Sequence, residues 1–164
     1  MGNAPAADTQ PLRRALGRFA TGVAIISCLD ADGARVGLTA NSFQSLSLVP
    51  PLVLWSLRRA SPSLAAFVQA RHFAVNVLGE AQVDLSRRFA SRHPDKFAEG
   101  QWAPGQTGAP VLAGCAAVFE CEAWSHQTAG DHELFIGHVL QLDEAPIAPL
   151  VFQGGHYHLL GEVL

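Results

Sequence analysis

Apolar and polar residues alternate along several short stretches of this chain, with turn residues between them. The clearest strand signal is the apolar run from Val23 to Leu29, which the turn Asp30-Ala31-Asp32-Gly33 separates from a second run, Arg35 to Thr39. A short apolar run bounded by turn residues is typical of a buried strand, and a glycine in the turn accepts the positive φ that a tight hairpin needs. The pattern therefore predicts a β-hairpin over residues 23–39.

Further strands are predicted along the rest of the chain. They cover Leu52–Leu57, His72–Leu78, Cys115–Trp124, Glu133–Leu142, Leu150–Phe152 and His156–Leu159, and the segment Gln127–His132 is expected to join the two longest. About seven strands that follow one another with tight turns indicate antiparallel pairing. The pattern therefore favours an antiparallel barrel over a parallel doubly wound sheet.

Apolar residues recur at helical spacing in few segments. The predicted helices are Pro11–Phe19, capped by Asp8 or Thr9 and ended by Gly22, then Pro62–Gln69, capped by Ser61, and Ala81–Phe89, while Pro94–Ala98 has the composition of a further short helix. Proline suits a first helical turn, and short polar residues suit the N-cap. Residues 91–110 are otherwise polar and rich in glycine and proline, and irregular stretches of this length are often functional. The expected fold is mostly β, with a few short helices.

Composition bounds the class of protein. The chain has 164 residues, of which 49% are hydrophobic and 15% charged, and its formal net charge is -3. This size and apolarity predict one folded domain over residues 8–164 behind a flexible tail, residues 1–7. The charge offers no basic field for nucleic acid, and no apolar run approaches the ~20 residues of a membrane helix.

The cysteines and the N-terminus bear on the compartment. Cys28, Cys115 and Cys121 are odd in number and lie in apolar surroundings, which predicts reduced, buried thiols more readily than a disulfide. The first residues show no basic and apolar signal pattern. The sequence therefore predicts a cytoplasmic protein.

Two polar segments have the composition of a binding site. Thr39-Ala40-Asn41-Ser42 follows a predicted strand, and its backbone N–H groups and short side chains could meet an oxygen-rich ring or a phosphate. Ser56, Ser61 and Ser63 surround a predicted helix start with two arginines nearby, which suits a phosphate. On composition alone, the first segment also fits a polar loop that satisfies its own backbone, and the second fits an ordinary helix cap.

Histidines provide the other candidates. His132 follows Gly130-Asp131 between the two longest strands, where its ring could stack on a ligand or transfer a proton, although Gly-Asp also fits a plain turn. His156 and His158 face one side of a strand, but no carboxylate or cysteine stands at ligand spacing, so no metal is assigned. The phosphate-binding patterns GxGxxG and GxxxxGK[ST] are missing, which argues against a Rossmann fold.

Four segments in a fixed order resemble the flavin reductase family of FMN-binding split barrels, the short-chain reductase components of two-component flavin monooxygenases. They are Phe19–Ile26, Gly37–Phe43, Ser47–Val53 and Gly130–Val139, and the closing Gly155–Leu159 is also similar. The match covers about residues 10–160, and the order and spacing of the segments carry it more than any one of them.

The resemblance implies a split barrel, and a homodimer with FMN or FAD at the subunit interface. It also implies that NADH or NADPH reduces the flavin by hydride transfer from nicotinamide C4 to flavin N5, and that the reduced flavin passes to a separate oxygenase. A flavin store or sensor on the same fold is the alternative, and the Gly-Asp-His segment argues against it. An oxidase of the pyridoxamine-phosphate type would need more basic residues than Arg58 and Arg59 near the phosphate.

The resemblance also assigns roles to individual residues. Thr39, Ala40, Asn41 and Ser42 would line the isoalloxazine ring, Ser56, Ser61 and Ser63 would lie near the ribityl phosphate, Arg88 and Phe89 near the flavin's tail, and Tyr157 in the pocket wall. His132, the candidate catalytic residue, would contact the nicotinamide together with Gly130 and Asp131.

Overall fold

The computed structural model describes residues 8–164; the predicted tail, residues 1–7, lies outside the described residues. Its α-helices are α1 (Gln10–Leu16), α2 (Leu64–Gln69) and α3 (Val83–Ala90), with 3-10 turns at Glu80–Gln82 and Lys96–Ala98. Its strands are β1 (Thr21–Gly22), β2 (Ala24–Leu29), β3 (Arg35–Ala40), β4 (Gln44–Leu48), β5 (Pro51–Arg58), β6 (His72–Val77), β7 (Trp102–Pro104), β8 (Pro110–Leu112), β9 (Ala117–Ala129), β10 (His132–Glu144), β11 (Val151–Gln153) and β12 (His156–His158). The predicted class, mostly β with short helices, is confirmed.

A seven-stranded antiparallel sheet forms the body of the molecule, in the order β3-β2-β6-β9-β10-β5-β4. Its two edge strands, β3 and β4, are consecutive in the chain, and only residues 41–43 separate them. Four Cα–Cα steps of 3.8 Å keep Ala40 within about 15 Å of Gln44. The sheet therefore curves until the end of β3 lies near the start of β4, which is the geometry of a split barrel.

The barrel interior is filled by aromatic rings. Trp55 of β5 stacks on Phe135 of β10 with ring centroids 4.6 Å apart, and Phe67 of α2 meets the same indole edge-on at 4.9 Å. Phe73 of β6 packs at 5.9 Å from Trp55. All four residues are buried, so α2 is held against the barrel by Phe67 rather than by any cap.

A second apolar cluster lies on the other face of β2. Ala24, Ile26 and Cys28 belong to the barrel core, whereas Val23 and Ile25 pack with residues of α3 and the C-terminal strands. Burial on both faces explains why β2 is a continuous apolar run rather than an alternating one. The cluster seats α3 beside β3, and this places the residues after α3 next to the sheet edge.

The predicted hairpin over residues 23–39 is confirmed, with β2 and β3 paired in register. The Asp30 carboxylate accepts hydrogen bonds from the backbone N–H groups of Asp32 and Ala34, both at 2.9 Å, and Gly33 has φ +81°. The turn residues therefore play the roles that their types predicted.

Other boundaries differ from the expectation. Gln127–His132 is not a joining segment, because β9 and β10 are each 13 residues long and pair up to the turn at Gly130 and Asp131. Helix α1 ends at Gly17, earlier than the predicted Gly22, and buries none of its residues. Strands β4, β7 and β8 were not predicted, because their short sequences become strands only through pairing with partners.

The cysteines and the helices bear on the expected environment. Cys28, Cys115 and Cys121 are buried free thiols, as predicted, and burial raises the pKa of each to about 12, so they stay protonated. Within residues 8–164, none of the helices has the length and apolarity of a membrane span.

Candidate functional site

A cleft of about 1300 Å³ opens between the edge strand β3 and the end of β5. It is lined by Arg35–Ser42 on one wall, by Ser56–Arg58, Ala60–Ser63 and His132 on the other, and by Phe89–Phe97 across one end. The predicted ring segment, the serine loop, Phe89 and His132 therefore meet in one place, although almost a hundred residues separate the first from the last.

The segment Thr39–Ser42 forms the floor of the cleft where β3 ends. The Ser42 hydroxyl donates to the backbone C=O of Ser56 and accepts from its N–H, both at 3.0 Å, which ties the edge of β3 to β5. The Thr39 hydroxyl donates to the C=O of Ser86 at 2.6 Å. These two hydroxyls thus shape the floor, and Asn41 is left exposed to the cleft.

The serine loop runs from β5 into α2. The backbone N–H of Ser63 donates to the Ser61 hydroxyl at 3.2 Å, and the N–H of Leu64 donates to the Ser61 C=O at 3.2 Å. Helix α2 begins at Leu64, with Ser63 at the N-cap, rather than at Pro62 behind Ser61 as predicted. The shift places Ser61 and Ser63 on a turn before the helix, facing the cleft.

His132 is the first residue of β10 and pairs with Arg58 of β5. Its side chain is 39% exposed and its ring Nδ1 lies 2.7 Å from Asp131 Oδ1. That hydrogen bond, with the imidazole beside it, holds the pKa of the Asp131 carboxyl below its usual range. Because the Asp131 C=O accepts from the N–H of Arg59 at 2.9 Å, the turn that carries His132 is tied to the serine loop.

The donor set of the cleft suits a flavin. The exposed Asn41 offers its side-chain amide to a ligand. As an edge strand, β3 also presents backbone N–H and C=O groups that pair with no other strand. Leu38 and Val36 add apolar surface. Hydroxyls and cations at the far side of the cleft suit a phosphate. A planar ring with carbonyl and N–H groups, joined to a phosphate, matches this order of groups.

A family model described as "Flavin reductase like domain" matches residues 16–161. The chain belongs to the flavin reductase family. It is 41% identical over 150 residues to a Rhizobium meliloti protein named "Probable flavin reductase". The aligned residues make up 92% of this chain and 48% of that protein. The chain thus spans about half the length of that relative.

Two further members are similar over most of their length. The reductase subunit HsaB of a flavin-dependent monooxygenase from Mycobacterium tuberculosis is 40% identical, over 92% of this chain and 81% of that protein. The solved structure of the Streptomyces globisporus NADH:FAD oxidoreductase SgcE6, in complex with NAD and FAD fragments, superposes with a TM-score of 0.90 at 33% identity, over 98% of each chain.

Some residues predicted for the flavin reductase site do not line the cleft. Arg88 donates instead to the backbone C=O of Lys96 at 3.0 Å and to that of Asp95, and pairs with Glu99 at 3.2 Å. The hydroxyl of Tyr157 bonds to Ser86 at 2.8 Å within the second apolar cluster. Gly130 and Asp131 also lie outside the lining, and Asp131 is hydrogen-bonded to the His132 ring.

The sequence did not point to several residues that do line the cleft. Arg35, Arg92, Lys96 and Phe97 all face it, three of them from the irregular segment after α3. The Lys96 ammonium donates to the C=O of Phe89 at 2.9 Å, and burial lowers its pKa. The length of that irregular stretch was the only sequence signal for this wall.

A buried carboxylate lies behind His132. Glu133 is the next residue of β10, and its carboxylate accepts hydrogen bonds from the Thr128 hydroxyl at 2.8 Å and from His126 Nδ1 at 2.6 Å. These bonds hold the pKa of the Glu133 carboxyl below its usual range. Both partners belong to β9, so the network fastens the two strands of the hairpin that carries His132.

We expect Glu133→Gln to lower the melting temperature near neutral pH, with a deficit that shrinks on acidification. A carboxylate whose folded pKa is lowered stabilises the fold fully above its unfolded pKa, and the benefit disappears as the pH falls through the folded value. Melting temperatures of both proteins from about pH 7 to pH 3 measure the effect. A deficit that stays constant over this range would contradict the assignment. Glu144→Gln, at the exposed end of β10, is the matched control.

Proposed function

We propose that this chain is an NADH- or NADPH-dependent flavin reductase that supplies reduced FMN or FAD to a separate oxygenase. The observation that carries the proposal is the single cleft in which Thr39–Ser42, the serine loop and His132 meet, in a chain of the flavin reductase family. The names of HsaB, a monooxygenase reductase subunit, and SgcE6, an NADH:FAD oxidoreductase, support the same activity and the oxygenase partner.

In this proposal the residues of the chain bind the flavin and the nicotinamide and orient their rings. Thr39, Ala40, Asn41 and Ser42 lie along the flavin ring, and the Ser42–Ser56 hydrogen bonds keep that floor rigid. Ser56, Ser61 and Ser63 lie near the first phosphate, and Phe89 closes the wall behind Gly37. When bound, the flavin accepts a hydride from the nicotinamide by its own chemistry. The protein then needs no strong base or nucleophile, only fixed positions for two rings.

His132 is the proposed contact of the nicotinamide and the candidate catalytic residue. Asp131 Oδ1 engages ring Nδ1, which leaves Nε2 as the atom that can face a ligand in the cleft. Gly130 and Asp131 act as positioning residues, since they form the turn and hold the imidazole. Arg88 likewise positions the 95–99 segment.

A homodimer is part of the proposal. Leu48 is 90% exposed and Val49 93% exposed at the tip after the edge strand β4, and Trp124 on β9 is 56% exposed. Apolar surface of this kind is typical of subunit contacts. The cleft also lies open on one side, so a second copy could complete it. The three protonated, buried thiols support a reducing, cytoplasmic location.

Anaerobic reduction tests the proposed activity. Purified protein is mixed with NADH or NADPH and with riboflavin, FMN or FAD, and the flavin absorbance is followed. We expect bleaching of at least one flavin in a protein-dependent manner. If flavin binds but no nicotinamide bleaches it in any combination, the chain is a flavin store or sensor and the reductase proposal fails.

A further inference from the structure

The cleft has the opposite charge to the molecule. Arg35, Arg58, Arg92 and Lys96 line it, and among the described residues of its lining Asp95 is the only acid. The whole chain has a formal net charge of -3. Such a concentration of positive charge on an acidic protein selects ligands with more than one negative group.

The cations form two groups, one beside the serine loop and one on β3 and the 89–97 segment. Arg58 lies beside the serine loop, where the first phosphate is proposed. Arg35, Arg92 and Lys96, here called the distal cation group, lie across the cleft. Arg35 begins β3 and the ring floor begins four residues later at Thr39, so about 13 Å of strand separates Arg35 from the ring floor. A phosphate bound at Arg35 would therefore lie well away from the ring floor.

Two members of the distal cation group, Arg35 and Lys96, are held by specific contacts. Lys96 Nζ is fixed by the C=O groups of Phe89 at 2.9 Å and Gly37 at 3.5 Å. The Arg35 guanidinium lies over the ring of Phe97, 4.8 Å from its centroid. Arg88, only 14% exposed at its side chain, clamps the turn that carries both Lys96 and Phe97.

We propose that Arg35, Arg92 and Lys96 form a second phosphate subsite that recognises the pyrophosphate of a bound dinucleotide. The inference rests on the proposed function and deepens it, because it assigns the cleft to dinucleotides in preference to mononucleotides. Arginine suits this task, since its planar fork pairs with two phosphate oxygens at once. The pyrophosphate can belong to FAD or to the nicotinamide dinucleotide, and the two arms of the test separate these sources.

The test uses the double variant Arg35→Gln/Arg92→Gln, since both side chains are exposed and their loss leaves the core intact. The first arm measures dissociation constants of FAD and FMN by flavin fluorescence without nicotinamide. The second measures KM for NADH and for reduced nicotinamide mononucleotide, with riboflavin as the acceptor. In one of the two arms we expect a ratio to rise about tenfold. This is either the ratio of the FAD to the FMN dissociation constant, or the ratio of KM for NADH to KM for reduced nicotinamide mononucleotide.

Two further proteins sharpen the result. Arg14→Gln/Arg71→Gln removes the same charge outside the cleft and should leave both ratios unchanged. Arg35→Lys/Arg92→Lys keeps the charge and should recover part of the loss, which excludes misfolding. A change in the FAD arm alone assigns the subsite to the flavin, and a change in the NADH arm alone assigns it to the nicotinamide dinucleotide. Equal losses for dinucleotide and mononucleotide, or none, overturn the subsite while wild-type bleaching leaves the reductase proposal standing.

Discussion

Replacing His132 by alanine is expected to raise KM for the reduced nicotinamide about tenfold or more, with the flavin dissociation constant changed less than twofold. A positioned side chain that contacts a ligand ring or donates one hydrogen bond to it contributes about 1.5–3 kcal/mol when a charged or polarised group is involved. His132 borders the cleft from the β5 side, whereas the flavin floor belongs to the end of β3. The flavin ring and the nicotinamide therefore depend on different walls.

Steady-state kinetics with NADH and NADPH, beside flavin titrations, measure this split. His156→Ala is the matched control, because that imidazole is exposed on β12, outside the cleft lining. His132→Asn should recover part of the affinity, since an amide can still donate. Unchanged nicotinamide kinetics, or an equal loss of flavin affinity, would refute the role assigned to His132.

Asn76→Ala is expected to lower the free energy of unfolding by about 3 kcal/mol, the largest stability effect that we predict. Asn76 is fully buried on β6. Its Nδ2 donates to the C=O of Ile25 and to the Ser27 hydroxyl, and its Oδ1 accepts from the backbone N–H of Leu112, each at 2.9 Å. Ser27 in turn donates to the C=O of Pro110 at 2.6 Å.

The size of the effect follows from what alanine leaves behind. The N–H of Leu112 loses its acceptor inside the protein, and an unsatisfied buried group costs about 1–3 kcal/mol in addition to the cavity. Because this bond fastens β8 to the sheet, the segment around Pro110 loosens as well. Urea denaturation measures the change, and Asn41→Ala, an exposed amide, should stay within about 0.5 kcal/mol of the parent. A loss below about 1 kcal/mol for Asn76→Ala would contradict the network.

The hairpin shows why part of the fold is predictable from local sequence. Asp30 and Gly33 act within a few residues of each other, through a side-chain acceptor and a positive φ, so their types alone specify the turn. The unbroken apolar run of β2 is likewise a local feature. Strand β4 has no such signal, because its residues are exposed and its pairing with β5 supplies the strand conformation.

The site likewise has features that the sequence predicts and others that depend on the tertiary structure. The order of the segments Phe19–Ile26, Gly37–Phe43, Ser47–Val53 and Gly130–Val139 was enough to indicate the family, and Thr39–Ser42, the serine loop and His132 do line the cleft. The direction of Arg88 was not predictable, because it depends on the path of residues 95–99, which no periodicity encodes. In the structure this side chain holds the 95–99 segment, of which Lys96 and Phe97 face the cleft.

The sequence by itself determined the antiparallel β class, the first hairpin, the buried reduced thiols and the membership of a flavin reductase family. These properties depend on residue types and short-range spacing. Only the tertiary structure decided that the end of β3 lies near the start of β4, that Ser42 ties the floor to β5, and that a second group of cations faces the cleft. Each of these depends on contacts between residues far apart in the chain, where side-chain direction is set by packing rather than by local propensity.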